Sequence, residues 1–171
     1  SVYEEVSRIR DHLIKVIRDL RKEGIRAKVP PLGVMIEIPS CVQLIPKLGK
    51  LADFFCVGSN DLLQYYMACD RNNHSVNHLY RWHHPPFLMA LADIAQKCEN
   101  VSTDVSICGE MAGELWGSLV LIGLGYQNLS MDKRTLAVHH RLISQCQTGK
   151  LQRLIKKLLD CETSLEALET M

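Results

Sequence analysis

Apolar residues recur every three or four positions at the start of the chain, between Val2 and Glu23. This spacing places them on one side of an α-helix, and Gly24 stands where such a helix would end. Ser1 and Glu4 also have the spacing of a capping box, in which two side chains cap the first turn. The pattern therefore predicts an amphipathic helix at the N-terminal end.

The rest of the chain alternates between short apolar runs and longer amphipathic segments. Strands are predicted at residues 33–38, 53–57, 104–108 and 128–131, and helices at 40–52, 61–69, 86–100 and 114–123, with helical structure again from residue 132 to the end. The first strand is apolar on both faces except at Glu37, which favours a strand buried on both sides. This alternation predicts right-handed βαβ units and a parallel sheet.

Four such units form either a small doubly wound sheet or half of an eight-stranded barrel. A complete (β/α)₈ barrel needs at least about 200 residues, and this chain has 171. The chain also lacks an initiator methionine and opens directly on a predicted helix. We therefore expect an α/β fold in which residues 1–171 are one domain fragment of a larger protein, the second half of a barrel.

Composition narrows the functional classes. Twenty basic and nineteen acidic residues leave a formal charge of +1, so no nucleic-acid or membrane surface is expected. No apolar run approaches the roughly 20 residues that span a bilayer. Seven cysteines, without any C-x-x-C spacing, favour reduced and mostly buried thiols. These features favour a cytoplasmic location.

Polar side chains stand where three of the predicted strands end. Glu37 lies near the end of the first strand, Asn60 and Asp61 follow the second, and Cys108 closes the third. The carboxyl ends of parallel strands share one edge of a sheet, so these side chains are expected to converge around one cleft.

The residue types in this group suit one kind of chemistry. Glu37 and Asp61 supply hard oxygen ligands for Mg²⁺, which takes few protein ligands and leaves positions for substrate. Arg71 offers a planar fork for a phosphate, and Asn60 adds a neutral donor. Cys108 is placed to exchange a proton. The group predicts a site for a small phosphorylated acid and magnesium.

Each residue also has a simpler interpretation when it is considered alone. A glutamate on an apolar strand, such as Glu37, is often a core residue paired with a basic partner. Asp61 follows a Gly-Ser turn and is placed to cap a helix. Cys108 has the character of a small buried hydrophobe, and Arg71 that of a surface arginine. Their joint position favours the functional interpretation.

Three motifs at these residues resemble those of the phosphoenolpyruvate-utilising enzymes. GVMIEIP at residues 33–39 is similar to the family's G-[IV]-M-[IV]-E-[IV]-P strand. VGSNDLLQY at 57–65, with DRN at 70–72, is similar to the GTNDLxQY…DR signature, and CGEMAG at 108–113 to its counterpart. The similarity runs in order from about residue 24 to residue 144. Within the family, the resemblance is to enzyme I of the bacterial phosphotransferase system, in its nitrogen-related branch.

The resemblance implies a TIM barrel that binds phosphoenolpyruvate and Mg²⁺. It implies Glu37 and Asp61 as metal ligands, Asn60, Asp61 and Arg71 as substrate-binding residues, and Cys108 as the acid that protonates the enolate to give pyruvate. The phosphoryl group would pass to a histidine on a separate domain and then to a small phosphocarrier protein. A homodimer is implied as well.

The sequence also departs from the family pattern. Ser59 replaces the usual threonine and keeps a hydroxyl at the turn. None of the seven histidines lies in the motif of the family's phosphorylatable histidine, so this chain is expected to be inactive alone. Pyruvate phosphate dikinase and phosphoenolpyruvate synthase, which use a similar barrel, remain alternatives. A non-catalytic half-barrel that serves binding or assembly is another.

Overall fold

A computed structural model describes residues 3–171 of the chain. The first helix, α1, spans Tyr3–Lys22, with acidic residues in its first turn and basic residues in its last, as the helix dipole favours. It ends in a Schellman motif, because Ile25 N–H donates to the Leu20 carbonyl and Gly24 adopts a φ of +80°. The predicted N-terminal helix is thus confirmed. The predicted capping box involves Ser1, which lies outside the described residues.

Four parallel strands follow, in the spatial order β1-β2-β3-β4. They are β1 Gly33–Ile36, β2 Phe54–Gly58, β3 Asp104–Cys108 and β4 Asn128–Ser130. The strands predicted from sequence are confirmed, with bounds that differ by two residues at most. The first is shorter than predicted because Ile38, in an extended conformation, is already the N-cap of the next helix, which opens on Pro39.

Helices connect the strands and complete the chain. They are α2 Pro39–Leu48, α3 Ser59–Tyr66, α4 Pro85–Asn100, α5 Glu110–Gly113, α6 Leu115–Gly123, α7 Leu136–Ser144, α8 Thr148–Leu159 and α9 Ser164–Thr170, with one 3₁₀ turn at Asn77–Leu79. The short α5 was not predicted, because a four-residue helix carries no periodicity of its own. Helix α4 opens on Pro85, in the first-turn position that proline tolerates.

One face of the sheet is buried and the other is exposed. Val34, Ile36, Phe55, Val57 and Ile107 point to one face and join the core with the helices. The alternate residues point to the other face, which no layer covers within residues 3–171. Two of them illustrate this exposure, since Met35 is 45% and Phe54 39% exposed.

The prediction of a first strand buried on both sides is therefore wrong for one side. The open face is apolar because it is the inner face of a half-barrel, which no layer covers within residues 3–171.

Because the core lies on only one side of the sheet, it also distinguishes between the two expected architectures. A doubly wound sheet carries helices on both faces, whereas the strands of a barrel carry them only outside. Four parallel strands in sequential order, with helices on one side, match half of a (β/α)₈ barrel, as predicted. Among the described residues, none of the helices combines the length and the apolar character needed to cross a bilayer.

Candidate functional site

The turns that follow β2 and β3 are tied together by two hydrogen bonds. The Ser59 hydroxyl donates to the Cys108 carbonyl at 2.7 Å, and the Asn60 side-chain carbonyl accepts from the Glu110 N–H at 3.0 Å. Ser59 is only 2% exposed, so its bond is shielded from water. Gly109 makes this approach possible, because a Cβ there would collide with the Ser59 hydroxyl. The two strand ends therefore form one rigid edge.

Glu37 lies against the same edge, directly after β1. Its side chain covers Gly58, where an added Cβ would lie 2.8 Å from the Glu37 Cγ and 2.9 Å from its Oε1. The residue is half-buried, and within residues 3–171 no basic side chain forms an ion pair with it. The structure gives no support to Glu37 as a core residue neutralised by a basic partner.

Asp61 occupies the third position of α3. The N-cap of that helix is Gly58, and no side chain forms a capping hydrogen bond there, so the capping interpretation of Asp61 is wrong. Its Oδ1 lies 3.9 Å from the Nη2 of Arg71, and the two side chains are 46% and 41% exposed. A pair this long and this exposed contributes little to stability.

Tyr80, which the sequence analysis missed, holds two of the predicted site residues. Its hydroxyl donates to the Asn60 backbone carbonyl at 3.0 Å. The same oxygen accepts from the Arg71 guanidinium, and this bond raises the pKa of Arg71. Burial is the main cause that raises the pKa of Tyr80 itself. Tyr80 stands in a polar loop rich in Asn and His, and the two aromatic rings of that loop, Tyr80 and Trp82, were the available signal.

Cys108 lies at the end of β3, on the open face of the sheet. Its thiol donates to the Val57 carbonyl at 3.5 Å and accepts from the Cys56 thiol at 3.8 Å. Burial, then Cys56, then the Glu37 carboxylate raise the pKa of Cys108 to about 11. At neutral pH the side chain is therefore a protonated thiol, the form that can donate a proton.

A cleft of about 600 Å³ opens beside this edge. Asn60, Arg71, Tyr80 and Glu110 are among its lining residues. The other three predicted site residues lie outside its lining. The four side chains predicted to converge share one edge of the sheet with Arg71, and Asn60 and Arg71 also line this cleft.

The two carboxylates of the edge meet the needs of one kind of metal ion. Among residues 3–171, no three or more His, Cys, Asp or Glu side chains are grouped so that they could hold one. Glu37 and Asp61 thus offer two carboxylates at most. This donor set fits Mg²⁺, which keeps several waters and commonly binds through one or two carboxylates plus substrate oxygens.

Comparison with known proteins gives the family. Residues 1–148 match the model of the PEP-utilising enzyme, PEP-binding domain. The chain belongs to this family. Among relatives, it is 41% identical over 143 residues, 84% of the chain, to a protein of Escherichia coli K12 named phosphoenolpyruvate-dependent phosphotransferase system. It is 32% identical over its full 171 residues to the phosphoenolpyruvate-protein phosphotransferase of Haloferax volcanii.

A third relative has a different name. The multiphosphoryl transfer protein of Escherichia coli O6:H1 is 34% identical over 164 residues, 95% of this chain. The chain spans only 19%, 30% and 20% of the length of these three relatives. The resemblance stated from the three motifs is confirmed at the level of the family.

Proposed function

We propose that residues 1–171 form the C-terminal half of the phosphoenolpyruvate-binding barrel of a phosphoenolpyruvate–protein phosphotransferase. The observation that carries the proposal is the edge where β1, β2 and β3 end. There Glu37 covers Gly58, Asn60 is bonded to the turn after Cys108, and Arg71 lies 3.9 Å from Asp61. Carboxylates that can hold a metal ion, a guanidinium and a protonated thiol suit phosphoryl transfer from an enol phosphate.

Glu37 and Asp61 are the residues that would hold Mg²⁺. The ion, when bound, neutralises charge that develops on the substrate oxygens. Glu37 is already packed against the chain, whereas Asp61 projects from the first turn of α3. The two carboxylates therefore approach the substrate from neighbouring strand ends.

Arg71 and Asn60 bind the phosphate in this proposal. A guanidinium can give two parallel hydrogen bonds to phosphate oxygens. Tyr80 restricts the motion of this arginine by accepting one of its N–H groups, and it fixes the Asn60 backbone at the same time. The arginine thus enters the reaction already oriented, which lowers the entropic cost of binding.

Cys108 protonates the enolate that remains when the phosphoryl group has left. The proton of its thiol moves to the methylene carbon, the thiolate remains on the protein, and pyruvate is released. The high pKa of Cys108 keeps that proton in place at neutral pH until a strongly basic carbon is present. The phosphoryl group is received by a histidine on a separate domain and then by a phosphocarrier protein.

Nuclear magnetic resonance titration of the chain with phosphoenolpyruvate tests the proposal. Because phosphate contacts from outside this chain are missing, we expect affinity no better than millimolar, with amide shifts at residues 58–61 and 108–110 that require Mg²⁺. Asp61→Asn and Arg71→Lys should reduce the shifts. Asp93→Asn is the matched control, because its carboxylate has the same 46% exposure and lies on α4. Shifts that are absent, or independent of Mg²⁺ and of both variants, contradict the proposal.

Self-association is a further part of the proposal. In the described sheet β1 and β4 are the edge strands, and one face exposes Met35 and Phe54. Unpaired edges and open apolar faces favour association with a second chain. We expect a homodimer, measured by sedimentation. A well-folded monomer at all concentrations would exclude it.

A further inference from the structure

The loop between α3 and α4, residues 67–84, carries two of the residues that line the cleft. Arg71 and Tyr80 both lie in this loop, and its regular structure is limited to the 3₁₀ turn at Asn77–Leu79. A loop of this length with so little regular structure is mobile unless its side chains attach it to the rest of the fold. The attachments of the loop therefore decide where the Arg71 guanidinium is held.

Two side-chain hydrogen bonds join the loop to the segments that follow neighbouring strands. After β2, the Asn60 carbonyl accepts from the Tyr80 hydroxyl at 3.0 Å. After β3, the Glu114 carboxylate accepts from the indole Nε1–H of Trp82 at 2.8 Å. Asn60, Tyr80, Trp82 and Glu114 all line the cleft, so the loop is attached on both of its sides.

Glu114 is a firmly held acceptor for this bond. It is the residue between α5 and α6, and its backbone N–H donates to the Glu110 carbonyl at 3.2 Å, while its carbonyl accepts from the Ser118 N–H at 2.9 Å. Its side chain forms no capping hydrogen bond with α6, so the carboxylate is available to Trp82. A hydrogen bond to a carboxylate is stronger than one between two neutral groups.

Packing holds the donor as well. The Trp82 ring is partly buried against the core, and it meets the His83 ring edge to face, with the ring centroids 5.6 Å apart. A large ring that is fixed by packing, with its N–H bonded to a fixed acceptor, restricts the backbone that carries it. The Trp82–Glu114 bond therefore limits the motion of the C-terminal part of the loop.

We propose that Trp82 is a positioning residue for Arg71, because its bond to Glu114 holds residues 67–84 in place beside the cleft. The inference rests on the proposed function, in which Arg71 binds the phosphate. A guanidinium that is already oriented loses less freedom when the phosphate binds, so Trp82 strengthens binding without touching the substrate. Since Glu114 follows the strand that ends at Cys108, the bond also connects the loop to the proton donor.

Hydrogen exchange measured by nuclear magnetic resonance tests this attachment without any substrate. The Asn77 and Tyr80 N–H groups are bonded within the loop, and the Arg71 guanidinium is bonded to the Tyr80 hydroxyl. In Glu114→Ala we expect all of these groups to exchange at least about threefold faster, because the loop opens more often. Glu114→Gln keeps a side-chain oxygen that can accept from Trp82, and it should restore the slow exchange.

Two matched controls separate the bond from the loss of a side chain. Glu99→Ala should leave the loop unchanged, since Glu99 is also exposed and accepts a side-chain hydrogen bond, at 3.2 Å, but lies on α4. Trp82→Phe should act like Glu114→Ala, and the double variant should exchange no faster than either, because both changes remove the same bond. Trp116→Phe is the control for Trp82→Phe, since Trp116 lines the cleft from α6.

Unchanged exchange in Glu114→Ala, or additive effects in the double variant, overturns the proposal. Binding of phosphoenolpyruvate with Mg²⁺ should weaken about three- to tenfold in Glu114→Ala, while the urea midpoint should shift no more than in Glu99→Ala. Faster exchange without weaker binding would overturn the positioning role and leave the proposed function intact. Faster exchange in a chain that does not bind phosphoenolpyruvate at all would support the attachment of the loop and contradict the proposed function.

Discussion

Asn60 and Glu110 are joined by a 3.0 Å hydrogen bond from the Glu110 backbone N–H to the Asn60 side-chain carbonyl, across fifty residues of sequence. The bond connects the first turn of α3 to the first residue of α5. One side chain that is a candidate ligand therefore also fixes the turn that carries Cys108. In the proposed function, this bond would couple substrate binding at Asn60 to the position of Cys108.

Gly109 is expected to be irreplaceable at this edge. Its φ of +117° with ψ of −178° lies in a region that essentially only glycine adopts, and a Cβ would collide with the Ser59 hydroxyl. Gly109→Ala should lower the free energy of unfolding by about 2–4 kcal/mol, measured by urea denaturation. Gly113→Ala is the control, because a Cβ at Gly113 would meet no atom within 4 Å and the φ of this residue is not positive. Equal effects of the two changes would contradict this explanation.

The Ser59 hydroxyl is expected to stabilise the fold through its bond to the Cys108 carbonyl. Ser59→Ala should cost about 1 kcal/mol of unfolding free energy, since a shielded hydrogen bond between two strand ends is lost. Ser118 is equally buried, but its hydroxyl donates to Leu115 within the same helix. Such a local bond competes with helix geometry, so Ser118→Ala should be close to neutral. A larger loss for Ser118→Ala would show that burial, not the long-range bond, decides the effect.

Stability is expected to fall at alkaline pH because of Cys98. Burial raises the pKa of this thiol from 9.0 to about 12. The folded chain then keeps a proton that the unfolded chain loses, so the stabilisation is complete below pH 9 and is lost as the pH rises toward 12. Urea denaturation between pH 8 and pH 10 (about one unit on either side of the ordinary thiol value) should show this slope. It should be shallower in Cys98→Ala, after allowance for that variant's lower stability at pH 8.

The strands, and the sheet edge at which the candidate site residues lie, could be predicted from the pattern of apolar and polar residues. Short apolar runs with polar residues at their ends identify buried strands, and parallel strands must finish at one edge. Glu37, Asn60 and Cys108 could therefore be placed together from the sequence alone. Their chemical roles came from residue type and from the resemblance, and these roles remain predictions.

Other features depend on contacts that sequence does not encode locally. The open face of β1 carries apolar residues, such as Met35, that are indistinguishable from core residues without knowledge of what covers them. Tyr80 acts through a loop whose path is set by packing. The Cys56–Cys108 contact joins diagonal neighbours, and only the register of β2 and β3 reveals it.

Tyr126 is expected to anchor the segment after α6 to α4. Its ring is 2% exposed, and its hydroxyl donates to the Leu91 carbonyl at 2.9 Å. Tyr126→Phe should lower the free energy of unfolding by about 1 kcal/mol, because the ring still fills its place and only the hydrogen bond is lost. Tyr65→Phe is the matched control, since that ring is 55% exposed. Its hydroxyl can bond to water in both the folded and the unfolded chain, so its loss should change the free energy of unfolding little. Urea denaturation of both variants measures the difference. An unchanged free energy of unfolding in Tyr126→Phe would contradict this explanation. It would mean that ring packing alone holds the segment, because the hydrogen bond to Leu91 would then be worth no more than the bond to water in the unfolded chain.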